Sequence, residues 1–311
     1  MHRKLVSVAL AATMAIGLTI ASAQAQTYKD TIKEFRIGLL GGENTADRLK
    51  RNDEFQKLLQ ARLGIPVKLF PASDYAGVMQ GIAAGQLEAA EFGASGFAGA
   101  YLDCKCLEPV VVPQENDGST FYYSVIVTRA DSGIKTLADL KGHSLAWADP
   151  NSTSGYLIPS STLKTQGIDL TPGKYFSTLG FSGGHEQGVV AVLNKQYDAA
   201  ATWTSGQGDE SVGYSRGNLR SMVDKKMLKM SDIRVLWQSG KIPNGPWTVR
   251  TAIPSDLKTV FTDFLLDLPK SHKKVYDDIE QGSGVGYAPA TMDLYKDIIK
   301  LREAEQQGGR T

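Results

Sequence analysis

Short apolar runs alternate with helix-like segments along most of the chain, and this alternation constrains the fold more than any other feature. Residues 35–40 are typical of a buried strand, and apolar residues at helical spacing follow from 44 to 63. The pair recurs with a strand at 67–70, a helix at 74–84 and a strand at 87–93. Repeated strand–helix–strand units of this length predict an α/β fold with parallel strands.

A second strand–helix series follows a β-rich run at residues 121–129. Strands are predicted at 143–149, 176–180 and 198–203, and helices at 137–142, 155–166, 186–194, 255–266 and 290–305. Only helices are predicted after residue 246. This order favours an inserted lobe, with residues 26–122 and 240–311 forming lobe 1 and residues 123–239 forming lobe 2. Residues 121–129 and 234–238 are the predicted strands that cross between the lobes.

Residues 149–155, with the sequence Asp-Pro-Asn-Ser-Thr-Ser-Gly, predict a loop that leads into a helix. The first turn of a helix leaves backbone N–H groups without partners and carries the positive end of the helix dipole. The hydroxyls of Ser152, Thr153 and Ser154 add further donors, which favours a site for a tetrahedral oxyanion. The alternative is an ordinary Ser/Thr cap whose other hydroxyls face water.

Other candidate binding residues also follow predicted strands, where ligands of open α/β sheets are held. They are Glu43, Tyr75, Phe92, Ser95, His185, Trp203 and Thr204. A histidine at a helix start can donate a hydrogen bond to an anion, or it can be a solvated loop residue. The aromatic residues, together with Trp247, can line a small pocket or belong to the core.

The first 25 residues predict a cleaved secretory leader. A basic start precedes a mostly apolar stretch, and Ala23-Gln24-Ala25 has the small-x-small pattern of a cleavage site. Export into a periplasm is therefore expected. Removal of Arg3 and Lys4 takes the formal charge from +1 to −1, which gives no electrostatic reason to expect nucleic acid or anionic lipid as a partner.

Two cysteines, Cys104 and Cys106, have C-x-C spacing. A disulfide across one residue closes a strained ring. A pair of free thiols is therefore the expected state, with a disulfide as the alternative. A metal site would need more ligands than the two nearby acids supply.

The sequence does not favour an enzyme. A phosphoesterase or serine hydrolase would use Ser152 or Ser154 with His185, but neither serine lies in a Gly-x-Ser-x-Gly elbow. After residue 25 the histidines are His143, His185 and His272, and they form no His-Glu-x-x-His motif. No cofactor or metal is expected.

The chain resembles the periplasmic phosphate/phosphite/phosphonate-binding proteins of ABC transporters. The similarity spans about residues 35–256 and rests on the string at 149–155, on Asp-Tyr-Ala-Gly at 74–77 and on Gly-His-Glu at 184–186. The resemblance implies a type II periplasmic binding protein, in which two α/β lobes joined by two crossing strands enclose the ligand. It implies that the 152–154 hydroxyls, Tyr75 and His185 hold the oxyanion. The implied partners are an ABC permease and its ATPase, and the implied state is a monomer.

The resemblance also bears on the ligand. Some family members hold an ammonium group with acidic residues, where this chain has Ser205 and Gly245. This departure disfavours 2-aminoethylphosphonate and favours phosphite, methylphosphonate or another alkylphosphonate, although Glu91, Asp209 or Glu210 can supply the missing charge. Phosphate, sulfate and sulfonate remain alternatives, as does a receptor that presents its ligand to a membrane sensor.

Overall fold

Two six-stranded sheets flanked by helices form the part of the chain that a computed structural model describes, residues 27–308. The predicted leader, residues 1–25, lies outside this range. None of the helices in the described range is long and apolar enough to span a membrane.

The first sheet combines parallel and antiparallel strands. Its order is β12-β4-β11-β3-β1-β2, and β1 lies parallel to both β2 and β3. The strands are β1 (Phe35–Leu39), β2 (Val67–Pro71), β3 (Ala89–Glu91), β4 (Leu107–Gln114), β11 (Trp247–Arg250) and β12 (Gly286–Pro289). Its helices are α1 (Tyr28–Thr31), α2 (Thr45–Leu63), α3 (Tyr75–Ala83), α4 (Ala94–Cys104), α8 (Ser255–Ser271), α9 (Lys273–Ile279) and α10 (Met292–Gly308). We call this sheet with its helices unit A.

The second sheet has the order β10-β5-β8-β6-β7, with β9 paired to β5 outside that path. The strands are β5 (Phe121–Arg129), β6 (Ser144–Trp147), β7 (Thr178–Phe181), β8 (Ala199–Thr204), β9 (Ile233–Gln238) and β10 (Ile242–Pro243). Its α-helices are α5 (Ile158–Thr165), α6 (His185–Leu193) and α7 (Asn218–Asp224), and 3₁₀ turns lie at Ala138–Leu140, Glu210–Val212 and Met230–Asp232. We call this sheet with its helices unit B.

Local signals explain where the helices begin and end. The Asn44 side chain accepts hydrogen bonds from the backbone N–H groups of Ala46 and Asp47 and caps α2. Gly64 ends α2 in the left-handed conformation, with φ of 64°. Asp74 caps α3 in the same manner by accepting from the Gly77 N–H. The apolar faces of these helices pack on the sheet, where Phe55 and Trp247 stack with ring centroids 5.3 Å apart.

The chain passes between the sheets at two short segments, residues 115–120 and 244–246. The segments expected to cross, 121–129 and 234–238, instead lie side by side as antiparallel β5 and β9 in the second sheet. The expectation of helices alone after residue 246 is wrong, because β11 and β12 join the first sheet as antiparallel strands. Their partners lie far away in the sequence, so no local pattern reports the pairing. The residue limits given for the two lobes remain a prediction.

Cys104 and Cys106 form a disulfide, with Cα atoms 5.1 Å apart. The expectation of free thiols is therefore wrong. Lys105, the residue between them, ends α4 in the left-handed conformation, with φ of 52°. This turn reverses the chain direction directly after the helix and brings the two sulfur atoms together.

Candidate functional site

A cavity of about 190 Å³ lies between units A and B and is lined by both. The loops that end β1, β3 and β6 contribute to its wall, as expected for open α/β sheets. Of the ten predicted binding residues, eight line it: Glu43, Tyr75, Phe92, Ser152, Thr153, Ser154, His185 and Trp203. The other two, Ser95 and Thr204, are buried beside it.

The predicted oxyanion loop starts a helix. Ser152 has an extended backbone and its Oγ accepts the Gly155 N–H at 3.0 Å, so it is a genuine N-cap. A π-helical turn, Thr153–Leu157, continues directly into α5. Asp149 holds the loop by accepting the Asn151 N–H at 2.7 Å. Free N–H groups of this first turn therefore lie next to the cavity, where they can donate to an anion.

His185 stands opposite Ser152, with Nε2 3.1 Å from the serine Oγ. Burial lowers the pKa of His185 to about 4, so the imidazole is neutral at pH 7. Since Ser152 Oγ accepts from Gly155 and carries its own proton, the Ser152–His185 pair can donate to a bound oxygen atom. Like the loop, His185 begins a helix, α6, and adds a second helix N-terminus to the same wall.

Two tyrosines complete this end of the cavity. Burial raises the pKa of Tyr75, and Asp149 raises it further. Burial also raises the pKa of Tyr122, while hydrogen bonding with Ser154 and Thr153 opposes that shift. Both phenols therefore stay protonated and can donate a hydrogen bond. Tyr75 was predicted from its position at the start of α3, whereas Tyr122 was missed because it lies inside a strand.

Contacts across the cavity hold units A and B together. Thr153 Oγ1 accepts the Ser95 N–H from the start of α4 at 2.8 Å, so this hydroxyl oxygen meets unit A. A Cβ added at Gly184 of unit B would lie 2.1 Å from Gly42 Cα of unit A. Only glycine permits that approach. The structure thus has the two units closed on each other.

Glu43 belongs to an ion chain at the edge of the cavity. Its carboxylate accepts from Arg51 at 2.5 Å and from Lys225 Nζ at 3.0 Å. Lys225 also donates to Glu186 at 2.8 Å. Burial opposes ionisation of Glu43, but Arg51 and Lys225 outweigh it and hold its pKa below the usual range. Glu43 and Arg51 are in unit A, and Lys225 and Glu186 are in unit B. This series of ion pairs therefore bridges the cleft.

A buried charged cluster also lines the cavity and was not predicted. Arg216 donates to Glu115 at 2.6 Å, to Glu280 at 3.2 Å and to the Asn244 side-chain oxygen at 2.7 Å. Its guanidinium carbon lies 5.2 Å from the ring centroid of Trp203. Nothing in the sequence indicated that Arg216 meets Asn244.

Glu91 also lines the cavity. Among the residues of the described range, none forms an ion pair with it within 4.0 Å or a hydrogen bond to its side chain. Burial and the nearby Glu280 raise its pKa well above the ordinary value, against the opposing effect of Arg216 and Arg51. The two alternatives considered for an ammonium group, Asp209 and Glu210, are exposed.

Two further predicted positions have structural partners. Ser205 is buried, and its Oγ lies 2.8 Å from Ser215 Oγ. Thr204 Oγ1 accepts the Gly206 N–H at 3.2 Å. Both hydroxyls therefore support the turn after β8. Within residues 27–308, no group of three or more His, Cys, Asp or Glu residues is placed to hold a metal ion.

Comparison with known proteins finds similarity to a known family over most of the chain. Residues 37–295 match the family model for the ABC transporter, phosphonate, periplasmic substrate-binding protein. The phosphate-import protein PhnD of Mycolicibacterium smegmatis is 28% identical over 250 residues, 77% of this chain and 74% of that protein.

Solved structures of similar proteins share the fold. A binding protein of a phosphonate ABC transporter from Pseudomonas aeruginosa has a TM-score of 0.74 and 26% identity, covering 88% of this chain and 86% of its own. PhnD1 of Prochlorococcus marinus, solved in complex with methylphosphonate, has a TM-score of 0.73 and 21% identity, covering 88% and 98%. These matches bear out the type II binding-protein fold, and the resemblance noted in the sequence is confirmed. This chain belongs to the family of periplasmic substrate-binding proteins of phosphonate ABC transporters.

Proposed function

We propose that the protein captures a phosphonate or phosphite-type oxyanion between units A and B in the periplasm. It then delivers this ligand to an ABC permease that a cytoplasmic ATPase drives. One observation carries the proposal: Ser152 and His185 face each other at 3.1 Å, each at a helix N-terminus and both on the cavity wall. Hydrogen-bond donors converge there without a lysine, as suits an oxyanion.

The ligand is held by groups from both units. The Ser152–Ser154 segment and His185 from unit B bind the oxygen atoms, and Tyr75 and Phe92 from unit A cover them. Because these contacts are complete only when the units meet, the ligand favours the closed arrangement. The permease then recognises that closed form. The protein acts as a monomer and has no enzymatic activity, since neither Ser152 nor Ser154 lies in a Gly-x-Ser-x-Gly nucleophile elbow.

The names of similar proteins support a small phosphorus oxyanion as the ligand. The Prochlorococcus protein binds methylphosphonate in its solved complex, and the Mycolicibacterium relative is called a phosphate importer. A cavity of about 190 Å³ suits a ligand of this size.

Glu91 favours a second candidate, a phosphonate with an ammonium group such as 2-aminoethylphosphonate. Ser205 and Gly245 do not supply the acidic residues that some relatives use, but Glu91 brings an unpaired carboxyl group to the same cavity. A buried ammonium requires such a partner.

Isothermal titration of the mature protein, stripped of ligand by unfolding and refolding, tests the proposal. The panel contains phosphite, methylphosphonate, ethylphosphonate, 2-aminoethylphosphonate, phosphate and sulfate. Micromolar or tighter binding of a phosphonate or phosphite is expected, with no detectable binding of sulfate. If the whole panel is silent, the proposed function is wrong. Turnover of p-nitrophenyl phosphate would indicate an enzyme instead, and light scattering measures the oligomeric state.

A further inference from the structure

The C-terminal helix of unit A contacts the oxyanion loop of unit B through one buried arginine. Arg302 on α10 is 8% exposed. Its Nη1 donates to the Pro150 carbonyl oxygen at 3.2 Å, and its Nη2 donates to the Asn151 side-chain oxygen. These two residues directly precede Ser152.

Unit A holds this arginine in place. Tyr295 of α10 packs edge-on against Phe97 of α4, with centroids 5.1 Å apart, and its hydroxyl donates to the Asn244 carbonyl at 3.0 Å. A Cβ added at Gly99 of α4 would lie 2.7 Å from Met79 Cε and 3.4 Å from Arg302 Nε. Because Gly99 has no side chain, the guanidinium of Arg302 can cross α4 at this point. On the solvent side, Glu305 accepts from Arg302 Nη1 at 2.7 Å.

The loop that Arg302 holds is short and tied down at both ends. Asp149 accepts the Asn151 N–H at 2.7 Å, and its other carboxylate oxygen lies 3.4 Å from the Tyr75 N–H of unit A. Ser152 follows at once as the cap of the helix. A displacement of residues 150–151 therefore moves the Ser152 hydroxyl and the N–H groups behind it. An arginine is suited to this task because it stays charged and donates in a fixed planar geometry.

We propose that Arg302 is a positioning residue of the binding site, which couples closure of units A and B to the placement of the oxyanion loop. This inference rests on the proposed function. Arg302 does not line the cavity and acts through residues 150–151. Its two bonds to that loop cross from unit A to unit B, so they form when the units close and are lost when they separate. Arg302 thereby slows release of the ligand.

The test compares Arg302→Met with the matched control Glu305→Gln, which removes only the charge of the acceptor that Arg302 has outside the loop and leaves its loop contacts intact. Methylphosphonate, or the tightest ligand of the panel, is titrated into the wild-type protein and both variants, and stopped-flow tryptophan fluorescence gives the rate constants. Arg302→Met is expected to raise Kd about 10-fold or more, mainly through faster dissociation, as for hydrogen bonds to a charged group. Glu305→Gln is expected to stay within about twofold of wild type, because the groups it changes are not part of the loop contact.

Two further variants keep the inference falsifiable if Arg302→Met does not fold. Asn151→Ala removes one of the two loop contacts while Arg302 stays, and it should also accelerate dissociation. Arg302→Lys, which can bond the Pro150 oxygen alone, should fall between Arg302→Met and wild type. A Kd and a dissociation rate within twofold of wild type in Arg302→Met or Asn151→Ala would overturn the positioning role while leaving the proposed function intact. Failure of the wild-type protein to bind any oxyanion of the panel would overturn both.

Discussion

Replacing Lys225 by methionine removes the cation that joins units A and B at the edge of the binding site. In the structure its Nζ lies 3.0 Å from Glu43 of unit A and 2.8 Å from Glu186 of unit B. Only the bond to Glu43 crosses the cleft. When the units separate, Lys225 stays paired with Glu186 and Glu43 stays paired with Arg51. Both carboxylates therefore still have a partner in the open protein. The crossing bond therefore contributes to closure alone.

The magnitude follows from the distance and the burial. Two unit charges at about 3 Å attract by roughly 5 kcal/mol at an effective dielectric constant of 20, before desolvation and side-chain entropy are subtracted. Side-chain exposures of 21% for Lys225 and 11% for Glu43 place the pair between a solvated pair and a buried one. A net contribution of about 1.5 kcal/mol is expected for such a charged hydrogen bond, and this weakens ligand binding roughly 10-fold.

The assay is calorimetric titration of methylphosphonate at two salt concentrations. Lys225→Met should raise Kd about 10-fold and flatten the salt dependence, because the crossing ion pair is gone. Lys225→Arg should retain most of the affinity. Lys57→Met is the matched control, since Lys57 pairs with Asp53 on the outer face of α2 with side chains 63% and 58% exposed. The reasoning is refuted if Lys225→Met binds within twofold of wild type, or if Lys57→Met weakens binding as much.

Three other perturbations give distinct readouts. Ser152→Ala should weaken oxyanion binding by about 1–3 kcal/mol in calorimetry and, because Ser152 is also an N-cap, lower the free energy of unfolding in urea by about 1 kcal/mol. His185 has a pKa of about 4 in the folded protein and about 6.5 when unfolded. The unfolded chain thus takes up the proton first, and the free energy of unfolding of the ligand-free protein should fall by roughly 2 kcal/mol between pH 7.5 and pH 5, a loss that His185→Gln should abolish. Arg216→Met should lower the free energy of unfolding by about 3–5 kcal/mol in chemical denaturation, since it leaves two buried carboxylates without their cation.

A specific result would contradict each of these three predictions. Unchanged affinity in Ser152→Ala would remove the loop from the site. If His185→Gln keeps the wild-type slope of stability against pH, another group titrates. Wild-type stability in Arg216→Met would mean that the two buried carboxylates do not depend on this cation.

Local chemistry in the sequence predicted the helix starts and the oxyanion loop. Asn44, Asp74 and Ser152 each cap the helix expected directly after them. These interactions span two or three residues, so a short window of sequence contains all the information. The same local reasoning places the loop beside the cavity once parallel strands are assumed.

Interactions between distant residues could not be predicted in this way. Arg216 meets Glu115 across 101 residues, and β11 enters the first sheet between β4 and β3 after the whole of unit B has intervened. The hydrogen bond from the Ser95 N–H to Thr153 Oγ1 depends on how units A and B meet, and no single segment of sequence contains that information. The disulfide between Cys104 and Cys106 depends on the left-handed conformation of Lys105, a residue type that rarely adopts it.

The Arg216 cluster has a mechanical consequence. Its members come from both connecting segments, through Glu115 and Asn244, and from both units, through Glu280 and Arg216 itself. Breaking such buried pairs is costly, so opening must proceed by rotation about an axis that passes close to this guanidinium. Displacements then grow with distance from the pivot, and the pair of spectroscopic labels that reports opening most sensitively is one placed at the outer rims of the two units.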